Sequence, residues 1–284
     1  RDNTLQNEIE NESMYVTPDE FLKFSSNTTF SNSLSALHIN CRSLPKHYED
    51  VHSLLLSLNY SIDVLALSET WLDGNVSSDI CFTGYNMENN ARKDRKGGGV
   101  SIAIKNHLKY KMRNDISAFN DSCENIFIEI LKPGKNIVVG AFYRPPDQSK
   151  ANFINAMRQI LCSLHKEKKE CILLGDFNID LMKLDVQYSC NEFLELFYSF
   201  SFYPLITKPT RITDTSATLI DNVFTNSVCN IISGIITCEI SDHLPVFALF
   251  DLGIFKEDPV IYKHEINDTN IKHFSDVLHD IDFD

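Results

Sequence analysis

The sequence has little of several features that mark specialised protein classes. Among its 284 residues, one is tryptophan, ten are glycine and nine are proline, which excludes collagen-like and low-complexity architectures. No apolar run approaches the roughly 20 residues that a membrane helix needs, and no charged-then-apolar leader follows Arg1. We therefore expect a globular protein with no membrane partner, in the nucleus or cytoplasm and not secreted. Because it does not begin with Met, we also expect it to be part of something longer.

The cysteines show no pairing or metal-binding pattern. All eight are scattered along the chain, and none forms a C-x-x-C pair. Most lie in apolar strand or helix patterns, which is typical of reduced, buried thiols in a cytosolic or nuclear protein.

Basic residues are also scarce, at 26 against 39 acidic ones, for a net charge of −13. That balance argues against a nucleic-acid partner, but its distribution weakens the argument. Residues 1–23 carry −4 and residues 251–284 carry −6, which leaves −3 for the middle of the chain. A nearly neutral middle can still present a basic face. Two basic clusters, at 92–96 and 105–113, are candidates for that face, and solvated loops explain them equally well.

Hydrophobic periodicity separates a patterned middle from two weakly patterned ends. Residues 1–32 predict a mobile acidic tail, and residues 253–284 predict a linker or the start of a following region. Because strands outnumber helices between them, and several strands are hairpin neighbours, residues 33–252 predict one α/β domain. We expect a four-layer sandwich of two mixed sheets flanked by helices. Strands are predicted at 34–40, 63–69, 99–105, 125–131, 136–143, 171–178, 217–225, 231–238 and 246–250, and helices at 46–58, 149–164 and 190–199.

Polar side chains recur at the ends of these apolar strands. One such residue is an ordinary turn signal, but six such places, rich in carboxylates, indicate one cleft where strand ends converge. Gathered carboxylates raise one another's pKa, and they become useful when a hard cation such as Mg²⁺ neutralises them. The residues are Asn40, Glu69, Tyr143, Asp176, Asn178, Asp221, Asp242 and His243.

The segment "SDHLPV" (241–246) leads into a strand that is apolar on both faces. Such a strand lies between two layers, so an ionised Asp242 at its entrance is costly unless it is paired, hydrogen-bonded or bound to a metal. Taken alone, the segment favours a capped turn over a catalytic pair of Asp242 and His243.

Eight motifs decide between these interpretations, because they occur in the order of the endonuclease/exonuclease/phosphatase superfamily. The Ser-Glu-Thr-Trp, Gly-Gly-Gly-Val and Tyr-Arg-Pro-Pro spellings resemble the apurinic-type endonuclease domain of non-LTR (LINE-like) retrotransposons. The resemblance covers about residues 34–251. It implies two mixed sheets between helices and a divalent-metal-dependent endonuclease that nicks duplex DNA and leaves a 3′-hydroxyl. The motifs are HINCRSL (38–44), LSETWL (67–72), RKGGGVSI (95–102), FYRPP (142–146), GDFN (175–178), KPTR (208–211), LIDNVFT (219–225) and SDHLPV (241–246).

The resemblance implies a role for each polar residue at the strand ends. Glu69 resembles the residue that holds Mg²⁺ or Mn²⁺, with Asn40 beside it and Asp242 nearby. Asp176 resembles the residue that activates the attacking water, and Asn178 the one that orients it. A carboxylate within reach of water can serve as a base, while a cation stabilises charge on the phosphate.

Further residues resemble groups that contact phosphate or DNA. His243 matches the histidine on the scissile phosphate, Asp221 the carboxylate that orients and charges it, and Tyr143 a phosphate-contacting tyrosine. An aspartate on the far ring nitrogen would fix the tautomer of the histidine and raise its pKa. The residues expected to contact DNA are Arg92, Lys93, Arg95, Lys96, Arg144, Thr210 and Arg211.

Two alternatives stay open. The superfamily also includes phosphatases for inositol lipids and sphingomyelin, against which the Ser-Glu-Thr-Trp and Tyr-Arg-Pro-Pro spellings argue. A nucleic-acid-binding remnant without catalysis is the second alternative, against which the complete set of polar residues argues. In the retrotransposon family a reverse transcriptase domain lies downstream. This chain stops at Asp284, so we expect a truncated copy or a piece of a longer chain.

Overall fold

The computed structural model of the chain describes residues 13–27, 33–59, 62–72, 80–92, 97–117, 119–120, 122–184 and 186–252. The predicted linker at 253–284 lies outside these ranges, as do residues 1–12 and 28–32 of the predicted tail. The described elements are β1 (Met14–Val16), α1 (Pro18–Asn27), β2 (Ser33–Asn40), α2 (Leu44–Ser57), β3 (Val64–Ser68), β4 (Tyr85–Asn90), β5 (Val100–Lys105), β6 (Tyr110–Met112), β7 (Phe119–Asn120), β8 (Cys123–Ile130), β9 (Ile137–Tyr143), α3 (Lys150–Glu167), β10 (Glu170–Asp176), α4 (Tyr188–Ser199), β11 (Tyr203–Pro204), β12 (Arg211–Thr213), β13 (Ser216–Thr218), β14 (Asp221–Thr225), β15 (Asn230–Ile236) and β16 (Val246–Asp251), with a 3-10 turn at Leu181–Lys183.

Two large mixed sheets form the centre of the molecule. In the described residues, the first sheet has the strand order β1-β15-β16-β2-β3-β5-β4, and the second has the order β11-β14-β10-β9-β8-β6, with β7 paired to β8. Strands β2 and β3 run parallel, as do β9 and β10, whereas β16 is antiparallel to β2 and β14 is antiparallel to β10. Strands β8 and β9, which correspond to the strands predicted at 125–131 and 136–143, form an antiparallel hairpin around Pro133-Gly134.

The sheets pack face to face, and helices cover their outer faces. On β16, Val246 and Ala248 belong to the cluster between the sheets, while Phe247 and Leu249 belong to the cluster under α1 and α2. Helices α3 and α4 cover the second sheet, and α3 buries the apolar face predicted from its spacing, which includes Phe153. This arrangement confirms the predicted α/β sandwich of two mixed sheets flanked by helices.

Residues 13–27 form an ordered segment, here called the N-terminal strap, so the prediction of a mobile tail is wrong for these residues. Strand β1 runs parallel to β15, and Phe21 is fully buried against Phe247 with ring centroids 4.9 Å apart. Thr17 and Glu20 cap α1 reciprocally through Thr17 N–H to Glu20 Oε2 (2.8 Å) and Glu20 N–H to Thr17 Oγ1 (3.2 Å). The sequence Thr-Pro-Asp-Glu at 17–20 is a capping box with proline in the first turn, a pattern that predicts the start of a helix.

The strap also contacts a loop beyond its own sheet. Ser13 exchanges hydrogen bonds with Thr207, through N–H to Oγ1 at 3.0 Å and through Oγ from the Thr207 N–H at 2.9 Å. The Tyr15 hydroxyl donates to the Pro209 carbonyl at 2.8 Å. The strap therefore fixes the chain just before Thr210, at the entrance to the predicted site.

Buried charges also meet at one edge of the second sheet, here called the far edge. Glu129 of β8 is 1% exposed and accepts from Arg113 (3.0 Å), Lys169 (2.8 Å) and Asn136 (2.7 Å), with Lys111 at 3.3 Å. Burial alone would raise the pKa of Glu129, but these donors outweigh it and lower that pKa to about 2. Of the basic cluster at 105–113, Arg113 is thus buried in a structural network, which removes it from the predicted basic face, while Lys111 pairs with Glu129 and stays 54% exposed.

Two further observations concern the cysteines and the helices. All eight cysteines are free thiols, and Cys41, Cys123, Cys171 and Cys190 are buried. In the described part of the chain, no helix has the length and apolar character needed to cross a membrane.

Candidate active site

The strand ends of the two sheets meet at the edge opposite the far edge, here called the catalytic edge. Asn40 ends β2 in the first sheet, and Asp176 ends β10 in the second. The Asn40 amide donates to Asp176 Oδ2 at 2.9 Å and to Glu69 Oε1 at 3.0 Å. One amide therefore links the two sheets and holds two predicted carboxylates beside each other.

Asp176 is fully buried yet surrounded by neutral donors. Its oxygens accept from the Asn178 backbone N–H (2.9 Å) and the Asn178 side-chain amide (3.0 Å), in addition to Asn40. Burial, followed by the negative charge of Asp221, raises the pKa of Asp176 to about 7. Asn178 reaches this position with φ of 48°, in the left-handed region that asparagine tolerates better than most residues. The carboxyl can therefore exchange a proton near neutral pH.

His243 lies next to this carboxyl and is paired with Asp221. The distance from His243 Nδ1 to Asp221 Oδ2 is 2.8 Å, and both side chains are buried. Burial lowers the pKa of His243, but the adjacent Asp221 outweighs it and raises that pKa to about 9. The same pairing outweighs burial at Asp221 and lowers the pKa of its carboxyl. The pair is therefore an ionised carboxylate that orients and charges an imidazole.

Asp242 has a different setting from its neighbour. Its Oδ1 accepts from Arg42 at 2.7 Å, and its Oδ2 accepts from Arg211 at 2.7 Å. Burial raises the pKa of Asp242, but the two guanidinium groups outweigh it and lower the pKa to about 2. Both oxygens of Asp242 therefore pair with arginines, and the metal-ligand role predicted for Asp242 stays a prediction.

Comparison with known proteins assigns the chain to a family. The model of the endonuclease/exonuclease/phosphatase family matches residues 37–243, which include every polar strand end described above. The chain belongs to this family. No curated protein sequence matches it significantly.

Solved structures similar to this family member agree with the fold. The endonuclease domain of TRAS1, a telomere-specific non-LTR retrotransposon, is 14% identical with a TM-score of 0.61, covering 77% of this chain and 98% of that chain. The AP endonuclease LMAP from Leishmania major is 13% identical with a TM-score of 0.64, covering 80% and 90%. The Xenopus laevis APE2 catalytic domain is 15% identical with a TM-score of 0.57, covering 78% and 94%.

The hydroxyl of Thr210 is buried and holds the Asp221 carboxylate in place. It donates to Asp221 Oδ2 at 2.7 Å, accepts from the Asp221 backbone N–H at 3.0 Å, and has no exposed surface. The prediction that Thr210 contacts DNA is therefore wrong, because the side chain faces the Asp221 carboxylate and fixes it. Arg211 follows with a side chain that is 39% exposed, so it can contact a ligand while it pairs with Asp242.

Arg144 is the second residue wrongly predicted to contact DNA. The whole residue is 2% exposed, and its guanidinium donates to four backbone carbonyls, so it clamps two loops together. Arginine saturates such carbonyls well because its five N–H donors have a fixed geometry. The acceptors are the carbonyls of Phe177 (2.9 Å), Pro145 (3.0 Å), Gln148 (2.7 Å) and Asn178 (2.7 Å).

The cluster at 92–96 contributes one described cation, Arg92. Its Nε donates to Glu124 Oε1 at 2.6 Å, and its side chain is only 11% exposed. A side chain at Gly98 would make this guanidinium shift, and Gly98 has φ of 65°, in the left-handed region that favours glycine. Lys93, Arg95 and Lys96 lie outside the described residues, and their predicted DNA contacts stay predictions.

Tyr143 occupies the predicted place at the end of β9, directly opposite Asp176 in the β9–β10 pair. The side chain is 5% exposed, and burial, with the nearby charges of Glu69 and Asp176, raises the pKa of its hydroxyl well above the usual range. The hydroxyl is therefore a neutral hydrogen-bond donor at neutral pH.

Sequence reasoning missed His38, which lies behind Asp221. Its Nε2 is 3.0 Å from Ser68 Oγ, and its Nδ1 is 3.7 Å from Asp221 Oδ1. Burial lowers the pKa of His38 to about 4, so it is neutral at physiological pH. The sequence "HIN" predicts that His38 lies near the site, because alternate residues of a strand share a face and Asn40 is on the same face of β2.

The donor set suits a hard divalent cation. Carboxylate oxygens of Asp176 and Asp221 lie within 4.8 Å of each other, and Asp221 Oδ1 is buried without a hydrogen-bond partner among the described residues. His243 belongs to the same group of side chains, but its protonated ring cannot bind a metal, which leaves the acids as candidate ligands. The half-buried Glu69 is joined to Asp176 through the Asn40 amide. Carboxylate and amide oxygens are preferred by Mg²⁺ and Mn²⁺, and a cation would relieve the repulsion between these acids.

Proposed function

We propose that this chain is a DNA endonuclease that depends on Mg²⁺ or Mn²⁺, nicks one strand of duplex DNA and leaves a 3′-hydroxyl. One observation carries the proposal: a carboxyl with a pKa of about 7, Asp176, lies beside an imidazole with a pKa of about 9, His243. Between these values the carboxyl is ionised and the imidazole is protonated. A general base and a fixed cation therefore coexist at the catalytic edge.

In this proposal Asp176 takes a proton from the attacking water, and Asn178 and Asn40 hold the carboxylate in place. The water oxygen bonds to phosphorus as the bond to the 3′ oxygen breaks. That oxygen leaves as a hydroxyl after it takes up a proton from solvent. A base with a pKa near the working pH is the most effective one, because it is ionised and still basic.

His243 binds the phosphate oxygens that gain negative charge, and Asp221 with Thr210 keeps the ring charged and oriented. Tyr143 donates a hydrogen bond to the same phosphate. A bound Mg²⁺ or Mn²⁺, held by Glu69 with Asn40 beside it, would supply further positive charge to the phosphate oxygens. Each contribution is electrostatic and is strengthened by burial.

We further propose that the substrate is intact duplex DNA. The Ser-Glu-Thr-Trp and Tyr-Arg-Pro-Pro spellings support the retrotransposon branch, and one solved neighbour is the endonuclease domain of a non-LTR retrotransposon. Another neighbour is an AP endonuclease, so the competing substrate is duplex DNA with an abasic site. Repair enzymes gain selectivity because a damaged nucleotide is cheaper to extrude from the stack.

The test is a nicking assay on supercoiled plasmid with Mg²⁺, repeated with chelator and with Asp176→Ala. We expect open-circular product only from the wild-type protein with metal, and we expect a DNA polymerase to extend the nicked end. Matched duplexes with and without one abasic site, at fixed salt, then identify the substrate. Equal nicking by Asp176→Ala, or ends that cannot be extended, would contradict the proposal.

A further inference from the structure

Backbone strain is concentrated at the catalytic edge. Eight described non-glycine residues have positive φ, and five of them surround the site. Such conformations persist only where the surrounding structure enforces them, and they often mark functional positions. The five are Arg42 (φ 41°), Ser43 (φ 95°), Glu69 (φ 51°), Trp71 (φ 53°) and Asn178 (φ 48°). The proposed roles explain Glu69 and Asn178, but they leave Trp71 without one.

Main-chain hydrogen bonds hold Trp71 in this conformation. The Trp71 N–H donates to the Gly98 carbonyl at 2.9 Å, and the Thr70 N–H donates to the Gly99 carbonyl at 3.2 Å. On the other side, the Thr70 carbonyl accepts from the Leu44 N–H at 2.9 Å. Two neighbouring chain segments therefore fix the backbone from which the indole projects.

The side chain of Trp71 is exposed. Trp71 is 45% exposed, although it is the single tryptophan of the chain and its neighbours Thr70 and Leu72 are buried. A Cβ atom at Gly97 would lie 3.8 Å from both Trp71 Nε1 and Arg92 Nη1. A rigid, amphipathic and exposed ring is suited to stacking on a planar ligand.

We propose that Trp71 contacts a nucleotide of the DNA that flanks the scissile phosphate, by packing its indole against the base or the deoxyribose. The proposal rests on the proposed endonuclease function. Two residues span at most about 7 Å, so Trp71 lies within one nucleotide of a phosphate bound next to Glu69. Trp71 would then contribute affinity and a preference for the shape of the flanking step.

Tyr203 is an exposed aromatic residue that lacks this setting. Tyr203 is 55% exposed, but it pairs with Thr225, at the opposite end of β14 from Asp221. Its backbone is in a short strand without positive φ. Tyr203→Ala is therefore a matched control, because it removes a similarly exposed ring far from the proposed DNA contact.

The chain offers a direct probe, because its only tryptophan is the residue in question. Asp176→Ala protein is titrated with a duplex of about 20 base pairs in Mg²⁺, so that the DNA binds without being cut. We expect the Trp71 emission to change with saturation, and iodide quenching to fall by about half or more. Unchanged emission and unchanged iodide access at saturating duplex would overturn the proposal, whatever the variants do.

Variants measure the contribution of the ring to binding. In the Asp176→Ala background, Trp71→Ala is expected to weaken duplex binding roughly 5- to 150-fold, the range found for losing one stacking contact. Trp71→Phe keeps an aromatic face and should lose less than about 5-fold, while Tyr203→Ala should bind like its parent. Equal binding by Trp71→Ala and its parent would overturn the proposal.

The two proposals fail in different ways. A wild-type chain that nicks duplex DNA, with a tryptophan indifferent to that DNA, would overturn the Trp71 contact and leave the endonuclease standing. A chain that neither binds nor nicks duplex DNA would overturn both. Melting temperatures of all variants, compared with that of Tyr203→Ala, show whether any loss of binding comes from unfolding.

Discussion

The two edges of the second sheet place buried carboxylates in opposite environments. At the far edge, Glu129 is surrounded by three cations and an amide, and its pKa is lowered to about 2. At the catalytic edge, Asp176 is surrounded by amides and by a second carboxylate, Asp221, and its pKa is raised to about 7. Both side chains are at most 1% exposed, but Asp176 lies deeper in the protein, so the depth of burial and the neighbouring charges together make the difference.

The difference separates stability from function. Charges at the far edge are neutralised within the chain, so that edge needs no ligand. The acids of the catalytic edge remain in part unneutralised, which costs stability and creates affinity for a cation and for a proton. The strained residues Glu69 and Asn178 lie at the same edge, as expected where local preferences are sacrificed for activity.

The largest effect that tests this comparison is on turnover. Asp176→Ala should lower nicking about 10²- to 10⁴-fold, because it removes the proposed base. Its melting temperature should stay at or above the wild-type value, since a repulsive buried acid is lost. Single-turnover nicking and thermal melts measure the two effects. A folded variant with near-wild-type turnover would remove Asp176 from the role of base.

The pH profile tests the charge on His243. Activity should rise as Asp176 ionises and fall as His243 loses its proton near its raised pKa of about 9. A bound cation would lower the pKa of both groups, so both limbs would move to lower pH. Asp221→Asn removes the charge that raises the pKa of His243, so the falling limb should move down by about two pH units. Profiles of kcat/KM for both proteins provide the measurement, and an unshifted limb would contradict the pairing as its cause.

A smaller effect is expected on stability at the far edge. Glu129→Gln should cost about 2–3 kcal/mol, because Arg113 and Lys169 keep other partners, and Tm should fall by roughly 4–12 °C. Denaturant unfolding measures this cost, and per-molecule nicking at low temperature should be unchanged.

The same variant has a pH signature. The folded pKa of Glu129 lies below its ordinary value of 4.5, so its stabilisation is present above pH 4.5 and is lost as pH falls toward 2. Wild-type protein should therefore lose more stability than Glu129→Gln in that window. Lys135→Ala, which breaks only the half-exposed pair with Glu170, is the matched control and should cost less than about 1 kcal/mol.

The smallest predicted effect concerns metal affinity. Glu69→Gln keeps the hydrogen bond geometry with Asn40 but removes a negative charge, so the Mg²⁺ midpoint of activity should rise about ten-fold or more. Duplex binding by the same protein in chelator should change little. An unchanged Mg²⁺ midpoint would mean that Glu69 does not hold the cation.

Much of this architecture could be predicted from the sequence, since its core strands are long and periodic. The burial alternation of β16 and the convergence of Asn40 and Asp176 follow from period-two patterning and from where apolar runs end. Packing decided the rest. Arg144 and Thr210 have residue types that occur both on DNA-binding surfaces and in interiors, and only the folded neighbours distinguish the two cases.

The N-terminal strap escaped prediction for another reason. Strand β1 has three residues, too few to show a period, and its partner β15 lies more than 200 residues away. The ion-pair partners of Glu129 lie nearer in sequence, with Arg113 16 and Lys169 40 residues away, but no local pattern marks them as partners. Local patterns carry no information about such pairings.

The strap has a consequence for the order in which the protein folds. During synthesis the N-terminal end emerges first, but β1 and Phe21 dock on residues 234–236 and on Phe247, which emerge near the end of the described chain. Strand β2, in the middle of the first sheet, likewise pairs with β16, which is synthesised much later. The first sheet therefore completes its strand pairing late in synthesis. Until then its apolar strands are uncovered, which favours contact with chaperones. Because the strap then holds the loop before Thr210, the catalytic edge should be completed in the same late step.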